Sequence, residues 1–412
     1  MKVLVNCYAC SPYQGSEPGM GWNFVCHLSR MHELHIMTEC KFQPDLERYF
    51  EAHAEERDFY RFYFIKRTRW NLLRKIWPPS YYWTYANWQR KALQCAKELE
   101  AKEHFDLVHQ LNMVGYRECG YLWKMGKPMV WGPMGNFNIT PWRMLPVMGW
   151  YGAIYYASRN LINLWQMNFS KRVRRAITSV DAIICAMQDD SIAVKRLFGK
   201  DSIVIPEVGL TNNNITEVKI LKRKDNEKLR ICWSGLHVSL KALPLLLQAI
   251  TKNGLMEKTE LHILGAGPCF DKWKYKADKL GLNNIVWYGQ VNHSIALEVM
   301  KQSHVFAITS LSDATSTVLL EALSYGLPVV ALNHLGFTNV ITKQCGIKID
   351  INKPKQVIND FAKAIDLLLT NEILRQQLAQ GALVRAQDFR WEKKAEIIDE
   401  IYRNISGSHF TA

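Results

Sequence analysis

The sequence predicts an α/β protein made of two doubly wound, parallel-sheet domains. Three observations carry that prediction. Short apolar, β-rich runs alternate with helix-length segments, the alternation stops once and restarts, and 412 residues suffice for two sizeable cores. At 48% hydrophobic and 22% charged, the composition is globular and excludes a disordered chain.

The first elements set the pattern. KVLVNCY (2–8) is an apolar run, MGWNFVCHLSRM (20–31) has helical spacing, and ELHIMT (33–38) is apolar again. Strand, loop, helix and strand in that order predict a right-handed βαβ unit. Further strands are expected at FDLVHQL (105–111), PMVWG (128–132), DAIICAM (181–187) and SIVIP (202–206). The stretch TNNNITEVKILKRKDNEKL (211–229) is polar, has little periodicity and reads as an inter-domain connection. Alternation then resumes with LRICWSG, a helix through KALPLLLQAI, LHILGAG, NIVWYGQ, a helix through HSIALEVMK, and HVFAITS at 304–310. RWEKKAEIIDEIYRNI (390–405) is a final helix. The expected domains are 1–208 and 209–388, followed by a terminal helical segment over 389–412.

Composition narrows the class. The start MKVLVNCYAC lacks a charged leader and a long apolar core, so a secretory signal is not expected. Ten cysteines without a framework of spacings suit a reduced, cytoplasmic compartment. Cys7-x-x-Cys10 has the spacing of a redox pair, with nothing else in the chain to support that use. The net charge of +14 is localised: residues 59–97 hold nine Lys/Arg and 119–180 hold eight, with no acid in either. Together they carry +17, so the remainder is slightly acidic. RFYFIKRTRWNLLRKIWPPSYYWTYANW (61–88) mixes these cations with aromatics, a pattern drawn to anionic lipid headgroups. MLPVMGWYGAIYYAS (144–158) is uncharged for 15 residues, short of the ~20 that span hydrocarbon. Trailed by KRVRR (171–175), it reads either as an interfacial helix or as a buried helix pair of the first domain.

The stretch SDATSTVLLEALSYGLPVV (312–330) concentrates the chemistry. Asp313 follows the strand at 304–310 and so sits at the carboxyl edge of a parallel sheet, where such folds bind ligands. A helix is expected to begin near Thr315, Ser316 and Thr317, whose hydroxyls suit N-capping, and to stop by Gly326 and Pro328. Its first turn offers unpaired N–H groups to a phosphate. Glu321 lies eight residues beyond Asp313, about 12 Å along a helix, so two acids could grip opposite ends of an extended ligand. Pattern alone leaves a second reading open and favours it: Thr317, Glu321 and Ser324 share a helical face that simply meets water.

SLSDATSTVLLEALSYGLPVVALNHLG resembles the acid-x₇-acid segment of retaining glycosyltransferases of the GT-B fold, specifically family 4. That resemblance implies two Rossmann-like domains facing a central cleft. It places Asp313, in the position usually held by Glu, beside a donor sugar, Glu321 on ribose hydroxyls, and the donor diphosphate at Ala314, Thr315, Ser316 and Thr317. SGLHVSLKALPLLLQA (234–249) is similar to the family's G-R-L-x-x-x-K-G entry, with Gly235 and Lys241 matching and Leu236 replacing the Arg; His237 is a candidate substitute cation. ILGAGP (263–268) and WYGQV (287–291), with Gly289, match strand ends that line the nucleoside pocket, VIPEVGL (204–210) falls at the hinge, and DFRWEKKAEIIDEIYR (388–403) resembles the helix that returns to the first domain. SPYQGSEPGMGWN (11–23) resembles the first glycine loop, where Gly15, Gly19 and Gly21 would admit substrate to the backbone. His109 in DLVHQLN matches the first histidine of a catalytic H-x-H whose second position is Leu111, and a purely structural histidine fits equally well.

The resemblance therefore implies a metal-independent, retaining hexosyltransferase. It would move sugar from a nucleoside-diphosphate sugar to a saccharide or lipid-linked saccharide acceptor in cell-surface polysaccharide synthesis. No cofactor is expected, and no D-x-D occurs in the chain. The expected location is cytoplasmic, on the anionic inner face of the plasma membrane, with no nucleic-acid partner. Two other readings stay open: a non-transferring GT-B enzyme such as a nucleotide-sugar epimerase, and a basic nucleic-acid-binding protein.

Overall fold

The computed structural model describes residues 1–68, 81–211 and 219–409, with side chains to Gly407. The chain forms two compact units. The first comprises Met1–Phe137, Trp165–Glu207 and Trp391–Ala412; the second comprises Asn138–Leu164 and Val208–Arg390.

The first unit holds a seven-stranded sheet of β1 (Lys2–Cys7), β2 (Glu33–Glu39), β3 (Tyr60–Ile65), β4 (Leu107–Asn112), β5 (Met129–Met134), β6 (Ala182–Cys185) and β7 (Ile203–Val204). Its order is β3-β2-β1-β4-β5-β6-β7 and every pairing is parallel. The second unit holds β8 (Leu229–Ser234), β9 (Thr259–Leu264), β10 (Ile285–Gly289), β11 (Val305–Ile308), β12 (Val329–Leu332) and β13 (Gly346–Ile349). These are also parallel, ordered β10-β9-β8-β11-β12-β13. In each sheet the strand order reverses direction once, between β1 and β4 and between β8 and β11. Loops leaving those neighbours part in opposite directions, which opens a ligand-sized gap at the carboxyl edge.

Period-2 alternation explains why both faces of the second sheet are apolar. Leu229, Ile231 and Trp233 of β8, with Val305 and Ala307 of β11, join one buried cluster. Cys232, Phe306 and Ile308, from the intervening positions, join the other. Strands covered on both sides by helices read as continuous apolar runs, which is how they appear in the sequence.

Four features depart from the sequence reading. β3, β12 and β13 are strands it did not assign. The basic, aromatic stretch begins as β3, a sheet edge with Tyr60 and Ile65 buried and Arg61 exposed. Its later cations Arg69, Arg74 and Lys75 lie outside the described residues, as does part of the connection at 211–229. Finally, residues 138–164 group with the second unit although 1–208 was expected to form one domain. The reason is hydrophobic: Met144, Leu145 and Met148 are buried in the cluster that contains Leu245, Trp273 and Phe361. Each such side chain contributes roughly 1.5–3 kcal/mol by leaving water.

The last helix, Trp391–His409, belongs to the first unit. Trp391 meets Phe24 edge to face with ring centroids 4.8 Å apart. Lys394 is buried, donates to the Pro206 carbonyl at 2.8 Å, and is brought down to about 7 by that burial, against the opposing charge of Glu207.

Candidate functional site

In the second unit, the loops after β8, β9 and β10 are laced together at the carboxyl edge. Gly235 N–H donates to the Leu264 carbonyl at 3.2 Å, His237 N–H to Ala266 at 2.9 Å, and Gly265 N–H to Gly289 at 2.8 Å. Gly289 adopts φ +65° and a Cβ there would meet no atom within 4 Å, so the glycine is required by conformation and borders open space. A Cβ on Gly235 would touch only Trp233 and Lys241 side-chain atoms, at 3.5 Å or more.

Lys241 ends a short 3₁₀ turn, Ser239–Lys241. Its carbonyl accepts from the Thr309 hydroxyl at 2.6 Å, and Thr309 in turn accepts from Trp233 Nε1 at 3.1 Å. This relay ties the turn to the end of β11, and the Lys241 ammonium pairs with the Asp313 carboxylate. Two residues 72 apart in sequence thus meet at the sheet's switch point.

The helix Thr317–Ser324 follows. Ser316 occupies its N-cap position in extended conformation but its hydroxyl does not cap the helix, contrary to the N-capping expected from sequence. The first turn therefore lacks a side-chain acceptor and keeps its attraction for an anion. Thr317 is exposed, Thr315 is buried, and Ala314 is pinned from below: a Cβ on Gly336 would lie 1.8 Å from the Ala314 carbonyl oxygen. Gly336 is a positioning residue that the sequence reading did not single out.

Glu321 does not face water. It is 8% exposed, and its Oε1 lies 2.8 Å from Nε2 of His293, a largely exposed residue that opens the helix His293–Lys301. His293 is a second site residue missed from sequence, since nothing local links it to Glu321. His237, by contrast, is no cation. It is fully buried, stacked on Phe270 with centroids 5.5 Å apart and flanked by Trp233, Trp273 and Trp287, and burial holds its pKa down. The position of the absent Arg is an exposed Leu236, so this loop supplies Lys241 as its cation.

The first unit presents a different edge. Asn112, at the end of β4, donates to the Ala9 carbonyl at 2.7 Å and so joins the ends of β4 and β1. Of the three glycines expected to admit substrate, two are taken up by the chain itself. A Cβ on Gly21 would lie 2.2 Å from the Ala9 carbonyl oxygen, and one on Gly19 would lie 2.4 Å from that of Gln14. Only Gly15 borders open space.

Two acids absent from the sequence reading converge here. The Glu17 carboxylate accepts from Val114 N–H at 3.1 Å and burial pushes it up to about 7. Glu118 is buried, is also pushed up to about 7 by that burial, and is raised further by the charge of Glu17, with Arg117 opposing. Each carboxyl keeps a buried Oε2 without a hydrogen-bond partner. Gly115 makes room for the second: a Cβ there would lie 2.1 Å from Glu118 Oε2.

His109 is not part of an open site. It is completely buried, with Nδ1 2.5 Å from the Tyr402 hydroxyl and Nε2 2.7 Å from the Gly132 carbonyl. Burial holds it near 4, neutral at ordinary pH, and both ring nitrogens are occupied. The catalytic role expected from sequence is replaced by an anchor for the terminal helix. Cys7 and Cys10 are free and buried, and burial raises the Cys7 thiol well above its usual range, the reverse of a reactive thiolate. Among the described residues no group of three or more His, Cys, Asp or Glu is arranged to hold a metal.

A lysine, an uncapped helix start and a buried carboxylate along one sheet edge suit a diphosphate joined to a hydroxyl-bearing group. Residues 216–384 match the family model described as Glycosyl transferases group 1. The phosphatidylinositol N-acetylglucosaminyltransferase GPI3 subunit of Saccharomyces cerevisiae is 24% identical over 261 residues, 61% of this chain and 56% of that protein. The chain spans about half the length of the first curated relatives it matches. Among solved structures, sucrose-phosphate synthase from Thermosynechococcus elongatus superposes with a TM-score of 0.66 over 99% of both chains, at 14% identity. Anabaena Alr3699/HepE, solved in complex with UDP, superposes with 0.61 over 98% of this chain and 100% of that one, at 15% identity. With two parallel-sheet units of seven and six strands, the fold is GT-B.

Proposed function

We propose that the protein is a retaining, metal-independent hexosyltransferase that moves sugar from a nucleoside-diphosphate sugar to a hydroxyl of a lipid-linked saccharide, in cell-surface polysaccharide synthesis. The observation that carries this reading is the Lys241–Asp313 pair beside the uncapped start of the helix that bears Glu321. The group 1 match over 216–384 supports sugar transfer. The UDP held by the Anabaena neighbour supports a nucleoside-diphosphate donor, and the yeast relative, named for a phosphatidylinositol acceptor, supports a lipid-linked one.

In this mechanism the donor diphosphate displaces Asp313 from Lys241. The ammonium and the first-turn N–H groups then hold the phosphates, while Glu321 accepts hydrogen bonds from the ribose hydroxyls. Asp313, released, turns to the hydroxyls of the donor sugar. Transfer breaks the bond between the anomeric carbon and the phosphate oxygen, whose electron pair goes to the diphosphate. The acceptor oxygen bonds to the same carbon on the same face and passes its proton to the leaving phosphate oxygen. Charge developing on that oxygen is stabilised by Lys241 and the helix dipole, so no separate strong base is needed. Glu17 and Glu118, carboxyls close to neutrality with unpartnered oxygens, are the groups we assign to acceptor hydroxyls.

A panel of uridine and guanosine diphosphate sugars, scored by thermal shift and then by the anomeric configuration of the product, tests the reading. A stabilising nucleoside diphosphate and an α-configured product from an α-configured donor, formed in the presence of EDTA, are expected. Free or epimerised sugar without an acceptor would indicate the non-transferring enzyme instead. Stabilisation by oligonucleotides alone would indicate a nucleic-acid-binding protein.

A further inference from the structure

The helix Gly149–Phe169 carries large apolar side chains on its outward face. Its inward face joins Ala153, Tyr156 and Ala157, packed on the second unit's core, to two buried asparagines. Asn160 exchanges hydrogen bonds with the backbone of Thr140, at 2.9 Å as acceptor and 2.8 Å as donor, and Asn163 donates to the Asn138 carbonyl at 2.6 Å. Its outward face is open: Trp150, Tyr151, Ile154, Tyr155, Leu161 and Ile162 are 53–78% exposed. Spaced by three, four and seven residues, they form one stripe along the helix. A stripe of this size on a soluble surface marks an interaction site.

We propose that this stripe seats on the interfacial layer of an anionic bilayer, with the helix lying in the membrane plane. Three features select lipid as the occupant. Trp and Tyr dominate one end of the stripe, and these residues settle at headgroup depth. Arg143 and Arg159 are exposed beside it, and no acid occurs anywhere from 119 to 180, so the segment that carries the stripe is itself cationic. Among the described residues no helix is long and apolar enough to cross a membrane, which leaves surface seating as the mode of contact. A second copy of the chain suits the stripe poorly. Twofold pairing through it would bring these arginines against their own symmetry mates with no acid in the segment to offset them. The inference deepens the transferase reading, on which it rests for its purpose, by giving a lipid-linked acceptor a surface at which to be met. The contact itself is measured without any transfer.

The test is co-sedimentation of the full chain with phosphatidylcholine vesicles, with and without phosphatidylglycerol. Binding to the phosphatidylglycerol vesicles is expected, with a fraction that survives high salt because the apolar contact is not screened. The variant W150S/I154S/Y155S/L161S should partition at least ~10-fold more weakly while keeping its melting temperature, since the altered side chains are already exposed. Failure of the wild type to bind, undiminished binding by the variant, or a wild-type dimer dissociated by these substitutions in sedimentation velocity would each overturn the proposal. The thermal shift with UDP separates the two readings. Vesicle binding without a UDP shift keeps the membrane contact and removes the transferase, and the converse removes only the membrane contact.

Discussion

The carboxyl edges of the two sheets share a topology and handle acid in opposite ways. In the second unit each functional carboxylate has a polar side-chain partner: Asp313 has the Lys241 ammonium, and Glu321 has the exposed imidazole of His293. In the first unit Glu17 and Glu118 are enclosed with each other for company, and burial moves both towards neutrality at about 7. A paired acid can exchange partners when an anion arrives. An acid near half-protonation can both donate and accept hydrogen bonds, which suits an uncharged polyhydroxylated ligand. On the proposed function, the same scaffold serves phosphate at one edge and hydroxyls at the other.

The strongest way to break this contrast is to remove the second unit's acids. Asp313→Ala and Glu321→Gln should each lower turnover by at least ~100-fold, because each deletes a charged hydrogen bond at a desolvated site. Gln is used at 321 because the position is buried and a cavity would confuse the result. Near-normal turnover in Glu321→Gln would show that this carboxylate serves packing with His293 and nothing more.

Lys241→Ala should weaken UDP by ~10- to 100-fold in calorimetry while leaving uridine binding unchanged, as expected for a contact made only to phosphate. The double variant Lys241→Ala/Asp313→Ala sharpens the point. If Asp313 acts only by holding the lysine, its loss should add nothing to UDP affinity once the lysine is gone.

The first unit's acids should appear in stability as well as in acceptor binding. Their folded pKa of about 7 lies above the usual value, so the folded state holds protons that the unfolded chain has released. Stability should thus be full below about pH 4.5 and fall as pH rises towards 7, by at most roughly 3 kcal/mol for each group. Glu17→Gln/Glu118→Gln should flatten that slope in thermal melts from pH 5 to 8. An unchanged slope would place the titration elsewhere.

The smallest effect on chemistry is expected at His109. His109→Asn should cost ~1–3 kcal/mol through the lost Tyr402 and Gly132 contacts, with activity per folded molecule within a few-fold of normal. A loss of ~100-fold without destabilisation would restore the catalytic role.

How much of this was legible in the sequence follows from the range of each interaction. Alternating strands and helices, and the place of Asp313 at a carboxyl edge, are written in local patterns, whereas Lys241 was singled out by the resemblance alone. β12 and β13 were missed although β6 and β11, also of four residues, were assigned, so strand length does not account for the miss. β3 was missed because its aromatics carry a charge signal as strong as their strand propensity. The second-unit membership of 138–164 depends on methionines entering a core more than 80 residues away, which no local pattern encodes. Glu17 and Glu118 are ordinary acids in sequence, and they become a pair only when the ends of β1 and β4 are joined. His109 matched a motif, but burial decided its role.

The membership of Trp391–His409 in the first unit has a consequence for how the protein is made. A ribosome completes β1–β7 and must then synthesise residues 208–390 before the helix that covers Phe24 and receives His109 emerges. At 5–20 residues per second that interval lasts about 10–40 s. Throughout it the nascent first unit lacks the helix whose Tyr402 meets His32 and His109. Vectorial synthesis thus leaves the strands of the first unit waiting on a helix made after the whole second unit, with Phe24 and His109 uncovered until it emerges.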